Sequence, residues 1–198
     1  VGVKFMVPAD VTDDASMDAA FAKIAKEWGR LDFLVHAIAF ADKSALKGSF
    51  VDNTTRAAFK ASMDISAFSF VDACRRAAPL MTNGGSIINT SSIAGLEGGF
   101  GAVAYVASKH AVTGMTKTVA KELGKYGIRV NSIHPGAIDE TGMYRSGGDP
   151  AERARMDEAV PLRRSGRREE VSNLAVFLAS DASSYITGTE HVIDGGRV

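Results

Sequence analysis

Residues Ser86–Lys109 read S-I-I-N-T-S-S-I-A-G-L-E-G-G-F-G-A-V-A-Y-V-A-S-K. An apolar, β-branched run closes at Thr90, and a serine- and glycine-rich turn follows. From about Ala104 the chain takes up helical spacing, with Val112, Met115, Val119 and Leu123 on one face. A buried strand that feeds a helix through such a turn is the repeating unit of a parallel sheet covered by helices. Tyr105 and Lys109 stand at i and i+4, so their side chains share one helix face. A free phenol titrates at about 10, and a neighbouring ammonium favours its ionised form. Lys109 is therefore expected to lower the Tyr105 pKa, and the hydroxyl of Ser92 to hold the oxygen that receives the proton.

Outward from this stretch the same alternation continues. Residues 3–7 predict a first strand. Met17, Phe21, Ile24 and Trp28 predict a helix that starts at the Asp13/Asp14 cap and stops at Gly29. Leu31–Ala37 predicts a second strand, and Thr54–Met81 one long helix ended by Asn83-Gly84-Gly85. Ser86–Thr90, Ile128–Ile133 and Glu190–Ile193 predict further strands, and Arg168–Ser180 a last helix. Between Pro135-Gly136 and Pro161 lies a polar connection long enough to serve as a lid or binding loop.

Bulk properties narrow the function. The 198 residues suit one domain with a sizeable core. Lysine plus arginine and aspartate plus glutamate are equal at 23 each, so no charge excess points to nucleic acid or an anionic membrane. The single cysteine, Cys74, excludes an internal disulfide framework and reads as a small apolar helix residue. No apolar run is long enough to span a bilayer, so a cytoplasmic location is expected. His36, His134 and His191 bring no partners at metal-ligand spacing, and no metal site is expected.

An ordered set of motifs adds to this reading: D-V-T-D at Asp10–Asp13, Ser92/Tyr105/Lys109, R-V-N-S-I-H-P-G at Arg129–Gly136, and S-S-Y-I-T-G followed by V-I-D-G-G. Together they resemble the short-chain dehydrogenase/reductase family over essentially the whole chain. The resemblance implies an α/β fold, a Rossmann-like doubly wound parallel sheet, with NAD or NADP as cofactor and a homotetramer as the assembly. It implies Ser92, Tyr105 and Lys109 as the catalytic set. Asp10 and Val11 would meet the adenine, Ala37 and Ile38 the cofactor ribose, and Tyr105 and Lys109 the nicotinamide ribose. Pro135, Gly136, Ile138 and Thr141 would receive the carboxamide.

Two branches of that family compete for the sequence. H-A-I-A-F-A at His36–Ala41 and M-D-I-S at Met63–Ser66 resemble the enoyl-acyl-carrier-protein reductases. Those enzymes place the active tyrosine seven residues before the lysine and a second tyrosine where Ser92 stands; here the first position is Ala102. The catalytic segment and C-terminal half resemble instead the hydroxysteroid and 3-oxoacyl type. The expected reaction is therefore hydride transfer between NAD(P)H and a small ketone or secondary alcohol, with Tyr105 as general acid/base. Enoyl-thioester reduction in fatty-acid synthesis is the alternative. No asparagine occurs near Asp64-Ile65-Ser66 to relay protons to the lysine, leaving Ser66 or Asp64 as substitutes, or no relay at all.

The chain opens at Val1 within what reads as a strand, and contains no T-G-x-x-x-G-I-G loop. Residues 1–198 thus read as one N-terminally truncated NAD(P)-binding domain lacking the first β-α-β segment. On that reading a third outcome is an inactive fragment with weak or no cofactor binding. Arg163, Arg164, Arg167 and Arg168 read as a solvated junction between lid and helix, with contact to a phosphate or an acyl carrier protein as the alternative, and Met143, Tyr144 and Met156 as lid residues that could face substrate or pack the lid down.

Overall fold

A computed structural model describes residues 5–46, 48–99, 101–139, 141 and 150–198. Its frame is a parallel sheet of β1 (Phe33–His36), β2 (Gly85–Thr90), β3 (Ile128–Pro135) and β4 (Glu190–Ile193), in that spatial order. Register sets His36 beside Asn89, Thr90 beside Ile133, and Pro135 beside Ile193. Since every strand points the same way, all four C-terminal ends open on one rim. The helices are α1 (Asp14–Trp28), α2 (Phe50–Asn53), α3 (Arg56–Met63), α4 (Ser69–Ala77), α5 (Val103–Leu123), α6 (Pro150–Glu158) and α7 (Arg168–Ala179).

The sheet is buried on both faces, which is why its central strands read as continuous apolar runs. On one face Ile87, Ile128 and Val130 pack with Phe70, Cys74, Ala77, Val112 and Ala120 of α4 and α5. On the other, Ile88 and Ile133 meet Leu178 of α7. Burial pushes the Cys74 thiol up to about 12, so it is inert packing material. Arg76 of α4 pairs with Asp72 on its own helix and reaches Asp14 and Asp18, at 3.2 and 2.9 Å, tying α1 to the sheet's helical layer.

Local chemistry explains where the elements stop. The Asp13 carboxylate accepts from the Ala15 N–H at the start of α1, and Gly29 ends it in the left-handed region at φ 72°. Three expectations change. Residues 5–7 form no strand: Phe5 turns instead onto Trp28, ring centroids 5.3 Å apart, and the remainder of that expected strand lies outside the described residues. The helix expected over Thr54–Met81 starts at Arg56, capped by Thr55, and is broken by a π turn at Asp64–Phe68 before α4. A 3₁₀ turn containing Pro79 then finishes it, because proline lacks the N–H a further α turn needs. Finally, the expected lid contains a helix, α6, that its glycines and prolines obscured; Met143 and Tyr144 lie outside the described residues. No helix among the described residues is long and apolar enough to cross a membrane.

Candidate functional site

The chain leaves β2 fully extended, with Ser92 at φ −171° and ψ 162°, and its hydroxyl accepts from the Ala94 N–H at 3.2 Å to start a 3₁₀ turn over Ile93–Gly95. That turn presses against α5. The Ser91 and Thr113 hydroxyls both donate to the Lys109 carbonyl, at 3.1 and 2.9 Å. A Cβ on Gly95 would lie 2.7 Å from Ser91 Oγ and 2.8 Å from that same carbonyl, so only glycine permits the approach. Loop and helix are thereby locked at the level of Lys109. Its Nζ donates to the Thr90 carbonyl at 2.9 Å and lies 5.8 Å from the centre of the Tyr105 ring.

The electrostatics differ from the sequence expectation. Burial raises the Tyr105 pKa, against the opposing effect of a hydrogen bond with the Ser92 side chain. Lys109 does not reverse that rise: its ammonium is turned to the Thr90 carbonyl, and its own pKa falls to about 8 through burial. Tyr105 is therefore a protonated phenol at neutral pH. It stands ready to give a proton or a hydrogen bond rather than to take one.

Beside this set lies the turn after β1. His36 is buried, with Nδ1 3.1 Å from Asn89 Nδ2 and Nε2 2.8 Å from Ser69 Oγ. An amide nitrogen only donates, so the ring proton is on Nε2. His36 is a satisfied structural histidine and no acid, its pKa lowered to about 4 by burial and the positive charge of Lys109. An unfolded imidazole titrates near 6.5, so below that pH the unfolded chain binds a proton that the folded one refuses. Stability is thus expected to fall as pH drops from 6.5 towards 4, by up to roughly 3 kcal/mol. Denaturant titrations of wild type and His36→Asn across that window measure it; equal pH slopes would exclude His36 as the source.

Ala37 and Ile38 are exposed on the rim immediately after His36. Phe40 closes the turn: its N–H donates to Ser66 Oγ at 2.9 Å, and its carbonyl lies 3.2 Å from Ser66 Oγ and 3.0 Å from Ser62 Oγ. The Ser62 hydroxyl is also 3.2 Å from the Ala104 carbonyl, one residue from Tyr105. Ser66 is therefore engaged with the Phe40 backbone through both its donor and one of its acceptor positions.

Pro135, Gly136 and Ile138 continue the rim past β3. Gly136 is set by close approach, since a Cβ there would meet Asp194 at 2.8 Å. Ile138 helps line a cavity of about 110 Å³ with Leu162, Arg164, Glu170 and Asp194. The Thr141 hydroxyl donates locally to the Ile138 carbonyl at 3.1 Å. Asp10 is exposed and accepts from the N–H and hydroxyl of Thr12, at 2.9 and 2.7 Å, in the turn that Val11 shares before α1. The structure thus gathers Ser92, Tyr105 and Lys109, sets Ala37, Ile38, Pro135 and Gly136 along one rim, ties Asp10 to its own turn and, through its N–H, to Ser16 of α1 at 2.9 Å, and keeps the Thr141 hydroxyl within its own turn. Arg164 forms a paired contact with Glu170, at 2.9 and 2.7 Å, and Arg163 donates to the Glu158 carbonyl at 2.7 Å. No group of three or more metal-ligating side chains occurs among the described residues.

Residues 1–197 match the sequence pattern of the family described as enoyl-(acyl carrier protein) reductase. The chain belongs to that family. With it the chain falls among the short-chain dehydrogenase/reductases, while the separate likeness to hydroxysteroid and 3-oxoacyl enzymes finds no support. The enoyl-[acyl-carrier-protein] reductase [NADH] FabI of Synechocystis sp. is 41% identical, over 96% of this chain and 74% of that protein. The trans-4-hydroxycyclohexanecarboxylate dehydrogenase of Sinomonas cyclohexanicum is 39% identical, over 98% and 71%. Among solved structures, FabI from Candidatus Liberibacter asiaticus superposes with a TM-score of 0.91 at 36% identity, over 98% of this chain and 75% of that one. The enoyl-(acyl-carrier-protein) reductase of Anaplasma phagocytophilum, in complex with NAD, gives 0.90 at 37%, over 98% and 74%.

These findings overturn the ketone and secondary-alcohol reading. It rested on Ala102 and Ser92 standing where enoyl reductases carry tyrosines, yet relatives at 35–41% identity over nearly the whole chain are named enoyl-acyl-carrier-protein reductases. Family membership is carried by sequence identity along nearly the whole chain, and two side chains do not outweigh it. The expectation of a small free carbonyl compound as substrate falls with it. Several supporting residues escaped the sequence reading: Ser62 and Ser69, buried serines on α3 and α4, and Ser91, Thr113 and Asn89.

Proposed function

We propose that this protein reduces the C2–C3 double bond of an enoyl thioester carried on an acyl carrier protein, with NADH as reductant. The observation that carries the reading is the 41% identity to an NADH-named enoyl-acyl-carrier-protein reductase across 96% of the chain. The residues present fit a nicotinamide cofactor. Lys109 is a buried ammonium with three N–H donors and Thr90 as partner for one, so two remain for ribose hydroxyls. Gly136 lets the backbone pass close behind the position where the carboxamide would lie, and the exposed Ala37–Ile38 backbone would flank the ribose. Asp10 and Val11 would face the adenine, and Pro135, Ile138 and Thr141 the carboxamide.

A bound nicotinamide would supply hydride to C3 of the substrate. The electron pair of the double bond moves towards the thioester oxygen, and C2 then takes a proton from solvent as the carbonyl re-forms. Tyr105, protonated at neutral pH, donates a hydrogen bond to that developing oxyanion, and Ser92 supports the phenol as its hydrogen-bond partner. Lys109 adds positive charge 5.8 Å from the centre of the Tyr105 ring. In this chain Tyr105 takes the part that enoyl reductases give to a tyrosine three residues earlier. We also read residues 1–198 as part of a single nicotinamide-binding domain. A homotetramer remains the assembly that the family resemblance implies, and the exposed Phe59 of α3 and Phe68 of the π turn offer apolar surface for a subunit contact.

Consumption of NADH with a crotonyl thioester of acyl carrier protein tests the proposal, with NADPH and a panel of cyclic ketones in parallel. Turnover of the thioester at least tenfold above any ketone is expected. Ketone reduction without thioester reduction would refute it.

A further inference from the structure

We propose that His134 is a positioning residue, whose imidazole spans from Ser132 to the Ser92 carbonyl and fixes the direction in which the Ser92 hydroxyl faces Tyr105. The proposal rests on the reading of Ser92 and Tyr105 as the pair that meets substrate. His134 is wholly buried near the end of β3, as is Ser132 two residues earlier on the same face. Its Nδ1 lies 3.0 Å from the Ser92 carbonyl oxygen and its Nε2 2.8 Å from Ser132 Oγ. A carbonyl only accepts, so Nδ1 carries the proton; the neutral ring then accepts at Nε2, and Ser132 is the donor.

Both ring nitrogens are thereby engaged, and neither faces the reacting atoms. The ring has no proton free to move, which excludes a relay. What it controls is a peptide plane. The Ser92 carbonyl also accepts from the Gly95 N–H at 2.8 Å. Two donors from different directions hold this carbonyl, and the Cα–Cβ bond of Ser92 follows the plane they set. Burial, the first influence on His134, keeps the ring neutral; the charged groups in reach are Glu190, Lys109 and His191.

A structural histidine and a positioning one predict different behaviour from Tyr105. The Ser92 hydrogen bond opposes the rise in the phenol's pKa, so a misdirected hydroxyl lets that pKa climb further. The test is NMR titration of ring-labelled tyrosine, with the Tyr105 signal assigned by its loss in Tyr105→Phe. His134→Gln, whose longer amide misses the Ser92 carbonyl, should move the Tyr105 midpoint upward by about half a pH unit or more. His134→Asn places an amide N–H where Nδ1 was, and should restore the wild-type midpoint. In a Ser92→Ala background, His134→Gln should add no shift.

With the enoyl thioester, kcat of His134→Gln should fall about tenfold while KM for NADH holds, the loss expected for one misaligned hydrogen bond. A folded His134→Gln protein with an unshifted Tyr105 titration would overturn the proposal, as would an equal shift in the Ser92→Ala background. Because the titration needs no substrate, it stands even where the enoyl assay fails, and the two readings fail separately.

Discussion

Tyr105→Phe is expected to lower kcat for enoyl-thioester reduction by about 10²–10³-fold, the range for removal of one hydrogen-bond donor to a developing oxyanion. The phenol is held in its protonated form by burial and directed by Ser92, so its hydrogen is presented to an oxygen that gains charge only as hydride arrives. An interaction made only in the transition state lowers kcat and kcat/KM equally. NADH affinity should therefore change little, because the Lys109 ammonium and its bond to Thr90 do not depend on the phenol oxygen. Steady-state kinetics on the purified variant, with its NADH dissociation constant measured by fluorescence, check both halves. Retention of more than a tenth of wild-type kcat would remove Tyr105 from its assigned role.

Phe70→Ala is expected to destabilise the fold by about 3–5 kcal/mol, the range for deleting a fully buried aromatic ring. Phe70 has no exposed surface and sits in the cluster formed by α4, α5 and the inner face of the sheet. Its ring also meets His36 edge to face, centroids 5.6 Å apart with an interplanar angle of 61°. The cavity left behind would admit solvent to that imidazole, so the His36 pKa should recover from about 4 towards 6.5 and flatten the acid loss of stability. Chemical denaturation at two pH values reports both effects. A cost below about 1 kcal/mol would mean that the cluster closes over the gap.

Much of this architecture was legible in residue order. The strand at Glu190–Ile193 and the helix between Asp13 and Gly29 follow from apolar period and capping chemistry alone, because those signals are local. The Ser92, Tyr105 and Lys109 set was legible for the same reason: its members lie on one strand end and one helix face. What was not legible depends on distant partners. A π turn at Asp64–Phe68 leaves no mark in hydrophobic period, and the burial that raises the Tyr105 pKa is a property of the folded chain that no local spacing announces. The reaction class was misjudged because two substituted side chains, Ala102 and Ser92, were weighed above the relationship carried by the rest of the chain.

The Ser62 hydroxyl lies within reach of two carbonyls, those of Phe40 and Ala104, but it has one proton. Ser66 can donate to the Phe40 carbonyl, which frees Ser62 to serve Ala104 at the foot of the Tyr105 helix. The turn after β1 and the start of α5 therefore share two protons among their carbonyls, with none to spare. One short side chain on α3 thus ties the turn after β1 to the first turn of the helix that carries Tyr105.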